Sequence, residues 1–242
     1  MQIQGKSMSF WGFIALLLLT CIMVGALYMA KKATNKELEL QKRRNRIREI
    51  RSELADIDEL LQTLLLYDRD VNLLYNLVNR MEKDISEGLT LIPNSPDLLE
   101  EKESLLKIRP KIIALTEEPL EPEIPGTDRQ IFLVKRHFSQ TLKLIRDFYQ
   151  KGDIDEISFN QHRNRLLLNS IMLEFNAYVR QAEEAKALNN LGMAANFYKH
   201  AKDILHKSDV DIPNKNNEIK RISKEISGLY VTHADEEMTK DK

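Results

Sequence analysis

The sequence predicts an all-α protein: one N-terminal transmembrane helix, a long amphipathic stalk helix of coiled-coil character, and a cytoplasmic helical bundle or helical-hairpin array. Phe10 to Ala30 form one unbroken apolar run without a charge. Between Ala33 and Gly88 there is neither glycine nor proline, and apolar residues recur at alternating steps of three and four, which is the helical period. Beyond Gly88, breaker-rich segments separate further helical periods, and strand-like alternation bounded by hairpin turns does not occur.

The apolar run comes first. Its 21 residues make a helix of roughly 31 Å, the thickness of a hydrocarbon core of about 30 Å. A cleaved secretory signal would carry a basic front, a shorter core and a small-x-small site. Here only Lys6 precedes the run, and Lys31 and Lys32 follow it directly, so an uncleaved anchor is expected. Cationic flanks stay on the cytoplasmic side. Lys31, Lys32, Lys36, Lys42, Arg43, Arg44, Arg46, Arg48 and Arg51 all follow the span, which places residues 1–9 outside and the tail in the cytoplasm. Trp11 and Tyr28, with Lys31 and Lys32, flank the expected span of residues 10–30, where amphipathic rings settle at headgroup level. The single cysteine, Cys21, lies inside the run, so no disulfide can form within the chain. Lys- and Asn-rich composition and the simple plan suggest a bacterial inner membrane.

Residues 31–90 read as a basic juxtamembrane collar and a stalk helix. With Leu40 at a heptad a position, the a/d series is Leu40, Arg43, Ile47, Ile50, Leu54, Ile57, Leu61 and Leu64. The next a position is Asp68, after which the apolar stripe widens through Leu73, Leu74, Leu77, Val78 and Met81. A wide stripe means burial against several neighbours. The seam suits a homo-oligomer or packing against the chain's own later helices equally well, and Arg43 at d weakens a tight dimer. Residues 31–51 carry a charge of +6 although the whole chain carries −1. Lys42, Arg43, Arg44, Arg46, Arg48 and Arg51 form a candidate basic interaction patch. On an upright helix Lys42 stands roughly 18 Å beyond Ala30, past a Debye length of about 8 Å, so only Lys31, Lys32 and Lys36 reach lipid.

Residues 91–128 hold a kinked helix and a Pro-rich linker. Ser95 caps it, Pro96 opens it, and Pro110 should kink it near Leu106; EPLEPEIPGT (118–127) is then an extended connector. A helical-hairpin domain follows at 129–232. One helix runs from Asp128 to Gln150 with the apolar face Phe132, Leu133, Phe138, Leu142, Ile145 and Phe148. Lys151-Gly152-Asp153 is a turn, and a helix resumes through Ile157 and Phe159 to Leu188. Asn189-Asn190 ends it, asparagine tolerating the left-handed conformation. Helices over 191–207 and 216–232 complete the domain, and residues 233–242 are expected to be a flexible charged tail.

Between Tyr178 and Leu205, Ala182 and Ala185 precede the Asn189-Asn190 turn, and Leu191, Ala194, Tyr198 and Ala201 follow it. This order resembles one tetratricopeptide-type helical hairpin. Small residues at Ala194 and Ala201 would let two helices approach while Tyr198 fills the groove. The departures are Gln181-Ala182 where the family has Leu-Gly, and His206 in place of the closing proline. The resemblance implies a protein-binding surface without catalysis, although repeat folds normally need three or more units.

No motif nominates a catalytic, cofactor or metal site. His137, His162, His200, His206 and His233 lack the spacing of zinc ligands and read as surface or boundary residues. The eight glycines are isolated, so no phosphate cradle is encoded. Glu100, Glu101, Glu103, Glu183 and Glu184 read as solvated helix faces. The sequence therefore leads to a non-enzymatic, single-pass adaptor or scaffold that binds an unknown cytoplasmic protein beside the lipid bilayer. The alternative is a tether for anionic lipid or nucleic acid through the collar; the acidic body, −8 over residues 52–242, argues against nucleic acid.

Overall fold

The computed structural model describes the backbone of residues 5–117 and 123–240 and the side chains of residues 12–114 and 123–230. Among the described residues there are seven α-helices and no strand: α1 (Gly5–Tyr67), α2 (Val71–Leu91), α3 (Pro96–Glu117), α4 (Asp128–Lys151), α5 (Glu156–Ala187), α6 (Leu191–Lys207) and α7 (Lys215–Lys240).

The glycine-free stretch that reads as one helix is in fact two. After Tyr67 the chain turns: Arg69 takes a left-handed φ of 48°, a conformation costing a non-glycine residue about 1–2 kcal/mol. The Asp70 carboxylate then caps α2 by accepting from Leu73 N at 2.7 Å, supplying a partner for an otherwise orphan amide. So α2 folds back on α1 and covers the heptad seam. Ile47, Ile50, Leu54, Ile57, Leu61 and Leu64 are each at most 5% exposed, and from Ile50 onward they share one core with Leu73, Leu74, Leu77, Val78, Met81 and Ile85. Each such side chain contributes about 1.5–3 kcal/mol relative to exposure. The seam that could have joined two copies is closed by the chain itself from Ile47 onward. Residues 31–45, including Leu38 and Leu40, remain exposed.

Gly88 lies within α2 rather than at its end. A Cβ there would stand 2.7 Å from Leu98 Cδ1, so glycine permits the close approach of α3. That helix continues through Pro110 to Glu117 and turns Leu98, Leu105 and Ile112, seven apart, into the core.

Thr127 and Gln130 form a capping box at the start of α4, and Gly152 closes it with φ 76°. The buried stripe of α4 is Ile131, Val134, Phe138, Ile145 and Phe148, while Phe132 is 69% exposed and Leu133 43%. This corrects the expected apolar face: Phe132 and Leu133 stand off the i, i+3, i+7 row. Likewise Ile157 is exposed on α5.

One core joins α1 to α4 with the first half of α5, as far as Leu166. A second, from Phe175 onward, joins the rest of α5 to α6 and α7. Helix α5 is thus the shared spine. The backbone of α7 stays helical to Lys240, past Thr232, where the helix was expected to end; side chains from Val231 onward lie outside the described residues.

Candidate membrane anchor, basic collar and docking hairpin

The N-terminal part of α1 carries its apolar residues without a protein neighbour. Its most apolar 18-residue window has a mean hydropathy of 2.5, and none of it is buried. Leu16, Leu19, Ile22, Val24 and Tyr28 are all more than half exposed. The Thr20 hydroxyl in this run is satisfied locally, Oγ1 donating to Leu17 O at 2.8 Å, as a lipid environment would require. Lys31 and Lys32 are exposed at its end. The side chain of Trp11, and residues 1–4 altogether, lie outside the described residues.

The candidate basic patch is divided by the fold. Arg46 donates to both oxygens of Glu87 at 2.6 and 2.9 Å and to Glu49 at 2.8 Å. Hydrogen bonds to Glu87, then Glu49, hold its guanidinium firmly charged, and Arg46 in turn lowers the Glu87 carboxyl. Arg80 of α2 continues the chain, donating to Glu53 at 3.0 Å and Asp84 at 2.9 Å. Burial pushes the Asp84 carboxyl up, with Arg80 opposing it. Arg51 pairs with Asp97 of α3 at 2.9 Å. Arg46 and Arg51 therefore serve the helix interfaces, whereas Lys42, Arg43, Arg44 and Arg48 stay exposed.

The corner between α1 and α2 is clamped by α5. Arg165 donates to Asp68 from Nε at 2.9 Å and Nη2 at 3.0 Å, and to Asp70 from Nη1. Asn169 donates to Asp68 at 2.7 Å. The Asp68 side chain is fully buried, so these donors replace its water. His162 is buried beside the clamp, 3.6 Å from Asp70, and burial lowers its pKa. His137 is buried too, between Thr63 Oγ1 at 2.6 Å and Glu59 at 3.2 Å. Both correct the expectation of surface or boundary histidines. Their only sequence signal was a set of polar residues interrupting apolar stripes, above all Asp68 at a heptad position.

The helical hairpin is present in residues 178–205. Asn189 takes φ 57° at the turn, and the Asn190 side chain caps α6 by accepting from Met193 N at 3.2 Å. Ala182, Ala194 and Ala201 are fully buried and Tyr198 nearly so. Small side chains let α5 and α6 pack closely, with the Tyr198 ring between them and α7 against α6. At the other side of α5, Arg180 Nη1 donates to Ile124 O of the linker at 2.7 Å, a contact without a motif in the sequence. Among the described residues no group of His, Cys, Asp and Glu is arranged to hold a metal ion.

No family model, curated protein or solved structure matches the chain.

Proposed function

We propose that the protein is a single-pass membrane-anchored adaptor whose helical body, held on the cytoplasmic side, binds another protein. One observation carries the reading: an apolar helical segment long enough to span a bilayer, unpartnered by protein, continues without interruption into the part of α1 that packs in the body. Such a span has no favourable place in water, because roughly 25 cal/mol is gained per Å² of apolar surface removed from it. The flanking cations support the N-outside orientation, and the α5–α6 hairpin supports a binding role.

Cysteine labelling tests the arrangement. In a Cys21→Ala background, an impermeant maleimide added to intact cells should label Ser7→Cys and spare Asp209→Cys until the membrane is opened. Labelling of Asp209→Cys in intact cells would overturn the orientation, and recovery of the chain in the soluble fraction would overturn the anchor.

A second reading has its own observation. Lys42, Arg43, Arg44 and Arg48 are exposed, with no partner among the described residues, and they suit a tether to anionic lipid or nucleic acid. Salt-dependent retention on phosphatidylserine vesicles or duplex DNA, lost when all four become Gln, supports it. Retention that is absent, or unchanged by salt, removes it.

A further inference from the structure

Helix α3 carries two aliphatic rows. Leu98, Leu105 and Ile112 face the core and are at most 2% exposed, whereas Leu99, Leu106 and Ile113, each one position later, are 46%, 62% and 50% exposed. Residues seven apart on a helix stand within about 20° of one line and about 10.5 Å apart along it, so the outer three form one straight stripe. None of the three is part of either hydrophobic core. Single exposed leucines are ordinary, but a stripe at heptad spacing has the form of a coiled-coil seam. Lys102 and Glu103 flank it on opposite sides, about 60° one way and about 40° the other from Leu99. Both are exposed, with no partner among the described residues.

The direction of α3 decides what fits along this stripe. Helix α2 runs antiparallel to α1, since Arg46 meets Glu87 and Arg80 meets Glu53. Helix α3 reverses again: Leu98 packs on Gly88 near the end of α2, Arg109 meets Glu82 and Asn79 earlier in it, and Asp97 pairs with Arg51 of α1. Helix α3 therefore points the same way as α1. Because α1 is continuous from the apolar run into the body, two copies inserted alike in one bilayer present their α3 stripes parallel and at the same height. Leu99, Leu106 and Ile113 then meet their own counterparts. In a parallel pair opposite flanks come together, so Lys102 of each copy meets Glu103 of the other, and opposite charges on facing flanks favour that register.

We infer that the outer stripe of α3 pairs with the same stripe of a second copy, parallel and in register, about a two-fold axis along the membrane normal. The inference rests on the anchored reading for the common direction and height of the copies, and not on which side of the membrane the body lies or what else it binds. Three half-exposed side chains make a face well below the roughly 800 Å² per partner of a stable soluble interface. Confinement of both copies to one membrane supplies the difference, as a tether raises effective concentration. The heptad seam of α1 is closed by α2 from Ile47 onward, which leaves α3 to carry the pairing.

Disulfide trapping of the full chain in isolated membranes, in a Cys21→Ala background, tests the pair. The cysteine labelling at Ser7 and Asp209 reads topology by itself, so failure of the anchor and failure of the pair are told apart. A disulfide needs Cα atoms within about 7 Å. Leu99→Cys, Leu106→Cys and Ile113→Cys should each give oxidised dimer, and Ser104→Cys, about 160° round the helix from Leu106, should give none. All four positions are exposed, so the fold is not at stake. An antiparallel pair would hold the two Leu99 positions about 21 Å apart and bridge only Leu106→Cys, whereas random collision would bridge Ser104→Cys equally. Either result, or no dimer at Leu106→Cys, overturns the proposal. Lys102→Glu should slow Leu106→Cys bridging roughly threefold, the scale of two exposed ion pairs, and adding Glu103→Lys should restore it. A rate unmoved by Lys102→Glu overturns the pairing of flanks and with it the register.

Discussion

Replacing Arg165 with alanine tests whether the α1–α2 corner is held by α5. The variant leaves the fully buried Asp68 carboxylate with Asn169 as its remaining side-chain donor, in place of two bonds from Arg165, and removes one donor to Asp70. Breaking a buried ion pair by removing one partner costs about 3–5 kcal/mol. The Arg165 side chain is 29% exposed, so water entering its place recovers part of this, and about 3 kcal/mol is expected. For a chain of this size that corresponds to roughly 6–12 °C in Tm. The full chain in detergent micelles, melted under far-UV circular dichroism, gives the number. Asp68→Ala alone and the Asp68→Ala/Arg165→Ala pair complete a double-mutant cycle. The pair should lose less than the sum, because neither charge is then stranded. A Tm shift for Arg165→Ala under about 2 °C, or a coupling under about 0.5 kcal/mol, would show that the corner is held by apolar packing instead.

His162→Gln should flatten the pH dependence of stability between pH 7.5 and 5.5. Burial lowers the native His162 pKa, so the unfolded chain binds more protons, and stability falls as pH drops through the ordinary value of about 6.5 toward the native one; parallel slopes in urea titrations would refute this. Ala194→Leu, at a fully buried contact between α5 and α6, should cost about 1–3 kcal/mol by overpacking, read as the same melt; a loss under about 0.5 kcal/mol contradicts close helix approach there. Asn189→Gly should be nearly neutral and Asn189→Val should lose about 1–2 kcal/mol, because Asn189 holds φ 57°; equal stabilities would deny the left-handed turn. Leu17→Arg with Leu19→Arg should raise the insertion cost by roughly 5–7 kcal/mol and release the protein into carbonate extracts; a double variant still retained would contradict a lipid-buried span.

Much of the fold is legible residue by residue. The Ser95-Pro96 start, the Gly152 and Asn189 turns and the α6 boundaries follow from local chemistry: a cap oxygen, a fixed proline φ, a left-handed position. The α1–α2 corner is not legible, because Asp68-Arg69-Asp70 contains no breaker and two of its residues are stabilised by Arg165, nearly a hundred positions away. The exposure of Phe132 was hidden for a similar reason. Apolar character marks two adjacent rows of α4, and only the neighbours decide which row is covered. Of the candidate sites, the collar's position and the hairpin's small residues could be read directly. The division of the collar into paired Arg46 and Arg51 and exposed Lys42, Arg43, Arg44 and Arg48 depends on carboxylates brought in by α2 and α3.

By itself the sequence determined that this chain is helical, that its N-terminal helix is apolar and long enough to cross a bilayer, and where the cationic residues cluster. These are properties of contiguous residues, since period, length and local charge need no distant partner. Tertiary structure alone decided that the heptad seam is sealed by the chain's own α2 from Ile47 onward, that two histidines are interior, and that the proline-rich linker lies against α5. Each of these depends on pairing residues far apart in the chain, where burial and the satisfaction of buried polar groups outweigh local preference.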